Sequence, residues 1–317
     1  MRTAAETRSV YPMALDVRGA LKEGMARLRA AQISSSTLAA ELLLMHALGR
    51  DRTWLYTNPE AALDPAESEK YFALIARRAA GEPTQYLTGK QEFWGLEFEV
   101  TPAVLIPRPE TEHVIEVALE RLGPRGIKID MVTGAPSPRL RIADVGTGSG
   151  CLAVALAHEL PHADVFATDI SAAAIEVARR NAARHGFSDQ IHFSQSDLLE
   201  CFHQPLATNH SPLLFDLIVS NPPYVARSEA ATLPREVRDH EPHAALFGGP
   251  TGVEIYSRLI EQSGSLLREG GILVLELGYN AAGEVSKMFH VQPGWVNVSI
   301  TNDLAGIPRV LAAERRA

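Results

Sequence analysis

The strongest constraint on the fold is the regular alternation of short apolar strands with helices in the second half of the chain. Strands are predicted at residues 140–145, 163–169, 190–194, 214–220, 271–277, 295–300 and 308–313. Helices are predicted at residues 150–159, 171–185, 253–268 and 280–289. Strands that alternate with helices of about 10–15 residues form βαβ units with a parallel sheet. The sequence therefore predicts an α/β domain whose sheet is covered by helices on both faces.

The first eighty residues have a different pattern, in which apolar residues recur at the spacing of a helix. The expected helices run from Met13 to Ala31, from a cap at residues 34–36 to Gly49, and from Asp64 to Gly81. The third of these begins with a proline in its first turn and a glutamate three residues after the cap, which is a capping-box pattern. We therefore predict a small helical bundle domain over residues 1–84, without a catalytic motif.

Residues 85–122 are predicted to connect the two domains. Apolar residues on either side of Gly95 alternate over residues 93–100 and indicate a short hairpin. The following segment leads into a helix that ends near Leu122. Residues 123–139 contain three glycines and three prolines, so the sheet domain, residues 123–317, is expected to begin with a loop or hinge.

Composition restricts the class of protein. Apolar residues make up 46% of the chain and charged residues 21%, which is typical of a soluble globular protein. We expect a cytoplasmic protein without a membrane partner, because no apolar run approaches the ~18 residues of a membrane span and the N-terminus has no signal-peptide pattern. Cys151 and Cys201 have no metal-ligand spacing, and the histidine clusters have no third ligand nearby, so neither a metal site nor a disulfide framework is expected.

The net charge differs between the two parts of the chain. Residues 1–80 carry 11 Lys and Arg against 9 Asp and Glu, and the remaining residues carry 19 against 29. A domain with a net charge of −10 repels a phosphate backbone, whereas nucleic-acid binders usually show a basic face. The alternative is that the negative charge only keeps the protein soluble. It nevertheless argues against a nucleic acid as direct substrate of the large domain.

A glycine-rich turn follows the first strand of the sheet domain and opens a helix. Its residues are Gly146, Thr147, Gly148, Ser149 and Gly150, preceded by the strand end at 143–145. Glycines permit a sharp turn and a close approach to a ligand, and a helix N-terminus favours a carboxylate or phosphate. The spacing is GxGxG, whereas a dinucleotide fingerprint is GxGxxG. This difference favours S-adenosylmethionine over NAD, although such turns also simply connect elements.

Two acidic positions follow the next two strands. Asp169 lies 19 residues after Gly150, close to the ~20 expected for a carboxylate that binds ribose hydroxyls, although it also suits a helix cap. Asp197 follows the third strand and suits a hydrogen bond from an adenine amino group, with Leu198 packed on the ring. A loop aspartate that forms an Asx turn is an open alternative at Asp197.

The most informative motif is Asn221-Pro222-Pro223-Tyr224, directly after the strand 215–220. Prolines have a fixed φ and no backbone N–H, so the carbonyl groups and the Asn221 side chain form a rigid, acceptor-rich site. Acceptors of this kind suit the two hydrogens of a planar –NH2 group, and the ring of Tyr224 supplies a flat face. A proline-rich turn that merely ends the strand is the alternative. The position at the carboxyl end of a strand, in a sheet that already has a glycine turn, favours a binding site.

Several sequence blocks together resemble the HemK/PrmC family of peptide chain release factor glutamine N5-methyltransferases. The resemblance runs from about residue 13 to the C-terminus, and its blocks are residues 85–89, 92–95, 106–112, 144–150, 221–224, 241–246 and 303–306. The Pro-Arg-Pro-Glu-Thr-Glu run at 107–112 favours this family over the ribosomal-protein glutamine methyltransferases.

The resemblance implies a Rossmann-like, seven-stranded class I methyltransferase domain whose last strand is antiparallel, and a helical N-terminal domain that helps to dock a release factor. It implies transfer of a methyl group from S-adenosylmethionine, with S-adenosylhomocysteine as product, to the glutamine of the release-factor GGQ motif. The roles it implies are cofactor binding by Gly146 to Gly150, Asp169 and Asn221, and a glutamine pocket formed by Asn221, Pro222, Pro223 and Tyr224. Asn221, Pro222 and Tyr224 are its implied catalytic residues.

Three positions depart from the family pattern. Leu198 stands where many members have Trp, residues 130–138 resemble an insertion, and the loop 249–252 differs from the usual Gly-x-Asp-Gly. The alternatives to the main interpretation are an N6-adenine methyltransferase, a ribosomal-protein glutamine methyltransferase, and a cofactor-binding module without catalysis. The sequence leaves the oligomeric state open and is compatible with a monomer.

Overall fold

The computed structural model describes residues 15–123, 139–203 and 213–316. These residues form two compact units, which divide between Thr88 and Gly89. Nearly all of the expected hinge at 123–139, and the insertion-like segment 130–138, lie outside the described residues. No helix in the described part of the chain is long and apolar enough to cross a lipid bilayer.

The first unit is helical, as its sequence predicts. Its helices are α1 (Val17–Ala30), α2 (Ser36–Leu48), α3 (Arg52–Thr57), α4 (Pro65–Ala79) and α5 (Thr84–Thr88). The capping box at the start of α4 is present, because Asp64 accepts from the Glu67 backbone N–H and Glu67 accepts from the Asp64 backbone N–H. Leu87 of α5 belongs to the buried core of this unit, so the unit extends to Thr88 and not only to the expected residue 84.

The second unit is built on a mixed seven-stranded sheet. Its strands are β3 (Arg141–Val145), β4 (Asp164–Asp169), β5 (Ile191–Gln195), β6 (Phe215–Ser220), β9 (Leu267–Glu276), β10 (Trp295–Asn302) and β11 (Pro308–Arg315). Their spatial order is β10-β11-β9-β6-β3-β4-β5. Five neighbouring strands from β9 to β5 are parallel, whereas β11 is antiparallel to both of its neighbours. The short connection between β10 and β11 permits only a hairpin, since a parallel pair needs a crossover of about a dozen residues.

Helices cover both faces of this sheet. They are α6 (Glu112–Leu122), α7 (Cys151–Glu159), α8 (Ala172–Arg184), α12 (Glu254–Leu266) and α13 (Ala282–Val291). Successive residues of a strand face opposite sides, so Ile142 lies in the core beneath α6 and α7, while Ala143 lies in the core beneath α12 and α13. This two-sided burial explains why the strands are almost continuously apolar in sequence.

The segment expected to be a connector belongs to the sheet unit. Strands β1 (Lys90–Phe93) and β2 (Leu96–Glu99) form the predicted hairpin, and Phe93 and Phe98 are buried in the same core as α6. The backbone N–H of Glu99 donates to Asn181 Oδ1 of α8 at 2.7 Å, which fixes the hairpin to the domain. The remaining short elements lie between β5 and α12: α9 (Glu200–His203), β7 (Val225–Ala226), α10 (Arg235–His240), α11 (His243–Leu246) and β8 (Phe247–Gly249).

The order of the strands places a ligand crevice between β3 and β6. The chain passes from β3 outward to β4 and β5 and then returns to the other side of β3 as β6. Open α/β sheets bind ligands at such a reversal, outside the carboxyl ends of the strands. The ends of β3 and β6 are in register, since Val145 pairs with Ser220, so the glycine-rich turn and Asn221 emerge side by side.

Replacing Gly24 by alanine tests the close packing of α1 against α4. A Cβ at Gly24 would lie 2.0 Å from the hydroxyl oxygen of Tyr71, which is fully buried. Although Gly→Ala usually stabilises a helix by up to about 1 kcal/mol, overpacking here should lower the unfolding free energy by about 1–3 kcal/mol. Denaturant unfolding followed by circular dichroism measures the change.

The matched control for this substitution is Gly283→Ala in α13, where a Cβ meets no atom within 4 Å. We expect this variant to be at least as stable as the wild type, because only the helix propensity changes. A Gly24→Ala protein as stable as Gly283→Ala would contradict the tight contact.

Candidate functional site

A cleft of about 310 Å³ opens at the carboxyl ends of the central strands. Most of the predicted site residues line it: Gly146, Thr147, Gly148, Ser149, Asp169, Asp197, Leu198, Asn221 and Pro223. Gly150, Pro222 and Tyr224 are not among the lining residues. The structure thus brings the glycine turn, the two acidic positions and Asn221 around one cavity, although they are widely separated in sequence.

The glycine turn is held by the end of β4. The backbone N–H groups of Gly146 and Thr147 both donate to the carbonyl oxygen of Thr168, each at 2.8 Å. Gly146 and Gly148 have φ of +73° and +55°, and a Cβ at either position would meet no atom within 4 Å. The turn therefore has a left-handed backbone that favours glycine and leaves open space above it. Gly150 has another role, since a Cβ there would lie 3.1 Å from the Cβ of Ala178 in α8 and would crowd the contact between turn and helix.

Asp144, at the end of β3, is a functional candidate that the sequence analysis missed. Its carboxylate accepts hydrogen bonds from Thr147 Oγ1 at 2.6 Å and from the Ala153 backbone N–H at 3.1 Å. Oδ1 has no hydrogen-bond partner among the described residues, and burial raises the pKa of Asp144 to about 7. An acidic residue at the second-last position of a mostly apolar strand, two residues before the first glycine of the turn, was the available signal.

Asp169 links the turn to the start of α8. Its Oδ2 accepts from the Gly148 backbone N–H and its Oδ1 from the Ser171 backbone N–H, both at 2.9 Å. Burial raises the pKa of this carboxyl above its ordinary value. Each carboxylate oxygen has a second lone pair, so Asp169 can still accept a hydrogen bond from a hydroxyl group in the cleft.

The second acidic position is paired with a cation. Arg258 of α12 donates to Asp197 Oδ2 at 2.7 Å and also contacts Glu200 at 3.3 Å. The neighbouring Leu198 has a φ of +52°, which is uncommon for a residue with a side chain and places it at the cleft wall. The sequence did not reveal Arg258, because it lies 61 residues away from its partner.

In the Asn221–Tyr224 segment, two residues line the cleft and two support it. Asn221 and Pro223 line the cavity, Pro222 is buried, and the ring of Tyr224 packs against Gly278. Burial raises the pKa of Tyr224, and its hydroxyl points to Glu276 Oε1 at 3.5 Å. The predicted stacking of Tyr224 on a ligand stays a prediction.

The loop 249–252, whose sequence departs from the family pattern, packs behind this segment. A Cβ at Gly248 would lie 2.4 Å from the carbonyl oxygen of Pro223, and one at Gly252 would lie 2.4 Å from that of Tyr224. Glu254 accepts from the backbone N–H of Gly252 at 3.0 Å and fixes the loop. These two glycines therefore let one backbone support the other at close range.

Behind Asn221 lies a chain of buried hydrogen bonds. Asn221 Nδ2 donates to Thr111 Oγ1 at 3.0 Å, and Thr111 Oγ1 donates to Glu276 Oε2 at 2.6 Å. Burial raises the pKa of Glu276 to about 7, and the nearby positive charge of Arg309 acts in the opposite direction. Asp303, in the block 303–306, accepts from Arg309 at 2.9 Å and so fixes this charge. No sequence motif indicated a role for Thr111 or Glu276.

The block 106–112 is tied to the same end of the sheet by a buried carboxylate. Arg108 donates to Glu241 Oε1 at 2.5 Å, and the Ile106 backbone N–H donates to Oε2 at 3.4 Å. Burial raises the pKa of Glu241, while the guanidinium of Arg108 counteracts this rise. Within the described residues, no group of three or more His, Cys, Asp or Glu side chains is arranged to hold a metal ion.

The cleft fits a cofactor with an adenosyl group and a positively charged tail. The open space above Gly146 and Gly148 forms a cradle, and Asp169 offers a carboxylate to hydroxyl groups. Asp144, whose Oδ1 has no hydrogen-bond partner among the described residues, is bonded to Thr147 of the turn, but it is fully buried and is not among the residues that line the cleft. The S-adenosylmethionine site that the sequence leads us to expect at these residues stays a prediction.

Comparisons with known proteins agree with this geometry. Residues 19–89 match the family model of the PrmC N-terminal domain, and residues 131–237 match that of the methyltransferase small domain. The human METTL16 catalytic domain, solved in complex with MAT2A 3'UTR hairpin 6, superposes with a TM-score of 0.52 and 20% identity. This alignment covers 77% of this chain and 81% of that one, and it confirms the predicted Rossmann-like methyltransferase fold.

Two bacterial relatives match almost the whole chain. The release factor glutamine methyltransferase of Koribacter versatilis is 44% identical, over 95% of this chain and 99% of the relative. The release factor glutamine methyltransferase of Moorella thermoacetica is 42% identical, also over 95% of this chain and 99% of the relative. The chain therefore belongs to the release factor glutamine methyltransferase family, as its sequence blocks indicated.

Proposed function

We propose that the protein methylates the side-chain amide nitrogen (N5) of the glutamine in the GGQ motif of peptide chain release factors, with S-adenosylmethionine as methyl donor. The observation that carries the proposal is the position of Asn221, which lines the same cleft as the glycine turn and Asp169. The names of relatives at 42–44% identity support the release factor as substrate. The reaction would modulate translation termination in the cytoplasm.

The proposed cofactor contacts follow the lining of the cleft. The turn from Gly146 to Gly150 holds the methionine part, and Asp169 accepts hydrogen bonds from the ribose hydroxyls. Asp197 accepts from the adenine amino group, and Leu198 packs on the ring. When bound, the sulfonium supplies a methyl group that is already activated for transfer. The product is S-adenosylhomocysteine.

The protein's own task is to position a poor nucleophile. The lone pair of an amide nitrogen is delocalised into its carbonyl group, so orientation and electrostatics carry most of the catalysis. We propose that Asn221 Oδ1 and the Pro222 carbonyl oxygen accept the two N–H bonds of the glutamine amide. Pro223 lines the pocket, and Tyr224, whose ring packs against Gly278, supports it. These acceptors stabilise the positive charge that develops on the nitrogen as its bond to the methyl carbon forms and the carbon–sulfur bond breaks. The proton then passes from the nitrogen to solvent water, so no strong general base is required.

A nucleic-acid substrate is disfavoured by electrostatics. The part of the chain after residue 80 has a net charge of −10, which repels phosphate groups. The likeness to METTL16 concerns the fold alone, at 20% identity. We propose a folded release factor as the partner, with its glutamine side chain entering the cleft. No DNA or RNA is needed as substrate.

Asn221→Ala tests the proposed acceptor. Removing one preorganised hydrogen-bonding group from an active site costs about 10²–10³ in turnover. We expect this loss in kcat on purified release factor, measured with a labelled methyl donor, while S-adenosylhomocysteine still binds in a calorimetric titration. Asn302→Ala, at an exposed position at the end of β10, is the control and should keep wild-type turnover. Near-normal turnover of Asn221→Ala would remove Asn221 from the mechanism.

Asp169→Ala tests the proposed ribose contact. A hydrogen bond to a charged group is worth about 1.5–3 kcal/mol, so losing it should weaken S-adenosylhomocysteine binding by about 10- to 100-fold. Isothermal titration calorimetry measures the affinity, and circular dichroism checks that the turn still folds without the Gly148 contact. The control is Asp189→Ala, which removes an exposed carboxylate outside the cleft lining. Unchanged affinity in Asp169→Ala would refute the assignment.

A further inference from the structure

The side chain of Asn221 can face the cleft in two ways, and only one of them offers an acceptor. A carboxamide has an oxygen that accepts and an –NH2 group that donates, and rotation by a half turn exchanges their positions. In the structure, Nδ2 donates to Thr111 Oγ1 at 3.0 Å. Among the described residues, no protein group donates to Oδ1. The substrate amide would meet an acceptor in this orientation and a repelling donor in the other.

The hydrogen-bond chain behind Asn221 distinguishes the two orientations. The hydroxyl of Thr111 has a single proton, and it donates this proton to Glu276 Oε2 at 2.6 Å. An ionised carboxylate can only accept hydrogen bonds. Thr111 Oγ1 therefore has only lone pairs left for Asn221 and requires Nδ2 as its partner. Both Thr111 and Glu276 are at least 98% buried, so water does not replace either group as partner.

We propose that Thr111 and Glu276 are positioning residues that hold the Asn221 carboxamide with Oδ1 available to the substrate amide. This inference rests on the proposed function and extends it to Thr111, which lines the cleft but is only 2% exposed, and to Glu276, which is not among the lining residues. The hydrogen bonds all point in one direction: Asn221 donates to Thr111, and Thr111 donates to the carboxylate of Glu276. These hydrogen bonds connect three segments: the loop after β6, the start of α6 and the end of β9. Asn221 and Thr111 lie 110 residues apart in sequence, and Thr111 and Glu276 lie 165 residues apart.

The surroundings of Glu276 determine its charge. The groups that face it are Glu110, Cys151, Tyr224, Tyr256 and Arg309. Tyr224 donates to Oε1, Arg309 favours the ionised form, and Glu110 together with burial favours the protonated form. The pKa of Glu276 is raised to about 7. As the pH falls below this value, a protonated Glu276 can donate to Thr111, which can then donate to Oδ1 and permit the reversed carboxamide.

The test compares Thr111→Val with Thr111→Ser. Valine keeps the shape of threonine but lacks the hydroxyl, so we expect kcat on release factor to fall about tenfold with less than a twofold change in KM and in the affinity for S-adenosylhomocysteine. Serine restores the hydroxyl and should restore kcat to within about twofold of the wild type. Thr301→Val, at an exposed position on β10, is the control for the substitution itself. Wild-type kcat in Thr111→Val, or a Thr111→Ser enzyme as slow as Thr111→Val, would overturn the proposal.

The second arm uses the pH profile of Glu276→Gln. A carboxamide does not titrate, so we expect the decline in wild-type kcat between pH 8 and pH 6, centred at about 7, to be absent from this variant. The pKa of Asp144 is raised to about 7 as well. If the decline in kcat persists unchanged in Glu276→Gln, another group such as Asp144 causes the decline, and the role of Glu276 is contradicted.

A measurement without turnover separates this inference from the proposed function. In ¹⁵N-labelled protein, the Asn221 side-chain amide signals, assigned by their loss in Asn221→Ala, should include one downfield proton that shifts in Thr111→Val and is retained in Thr111→Ser. An enzyme that fails to methylate release factor but shows this pattern would contradict the proposed function alone. Amide signals that are identical in wild type and Thr111→Val would contradict the positioning role.

Discussion

The site depends on the in-register pairing of β3 with β6 at the point where the strand order reverses. Val145 and Ser220 are partners across these strands, and Ser220 Oγ donates to the Val145 carbonyl oxygen at 2.7 Å. This pairing brings two loops that are 75 residues apart in sequence to one edge of the sheet. A shift of the register by one residue would turn every side chain of β6 to the opposite face, so the two-sided apolar core enforces it. The geometry of the cleft is therefore a consequence of how the core is packed.

Rigidity at the cleft comes from backbone contacts more than from side chains. The glycine turn is tied to β4 by two bonds to the Thr168 carbonyl oxygen, and the loop with Gly248 and Gly252 packs directly on the carbonyl groups of Pro223 and Tyr224. Backbone groups have few alternative conformations, and the prolines remove further ones. A site that must align a weak nucleophile benefits from such preorganisation, because the cost of ordering it is met during folding and not during the reaction.

The sequence predicts the local features of this fold well and its long-range partners poorly. Apolar periodicity and turn residues revealed the longer helices, the hairpin, the strands of the large sheet, the glycine turn and Asn221, because each signal lies within about ten neighbouring residues. The sequence did not predict the short elements α3, α5, α9, α10, α11, β7 and β8. Thr111, Arg258 and Glu276 were missed as partners because their contacts join residues between 61 and 165 positions apart. The antiparallel direction of β11 followed from the resemblance and not from the strand pattern, which suggested a parallel sheet. The role of the loop at 249–252 became visible only when its close contact with Pro223 and Tyr224 was seen.

The buried carboxyl groups of Asp144 and Glu276 show how the fold trades stability for a defined site. Burial raises the pKa of both groups to about 7, so the folded protein binds more protons than the unfolded chain between about pH 4 and pH 7. Stability therefore decreases as the pH rises through this range, and the full penalty is present above the folded pKa. An apolar residue of similar size at Glu276 would avoid this penalty, yet it would leave the Thr111 hydroxyl free either to accept from Nδ2 or to donate to Oδ1 of the Asn221 carboxamide. The proposed role of Glu276 in fixing the direction of that hydrogen-bond chain gives a reason for an ionisable group at this buried position despite its cost in stability.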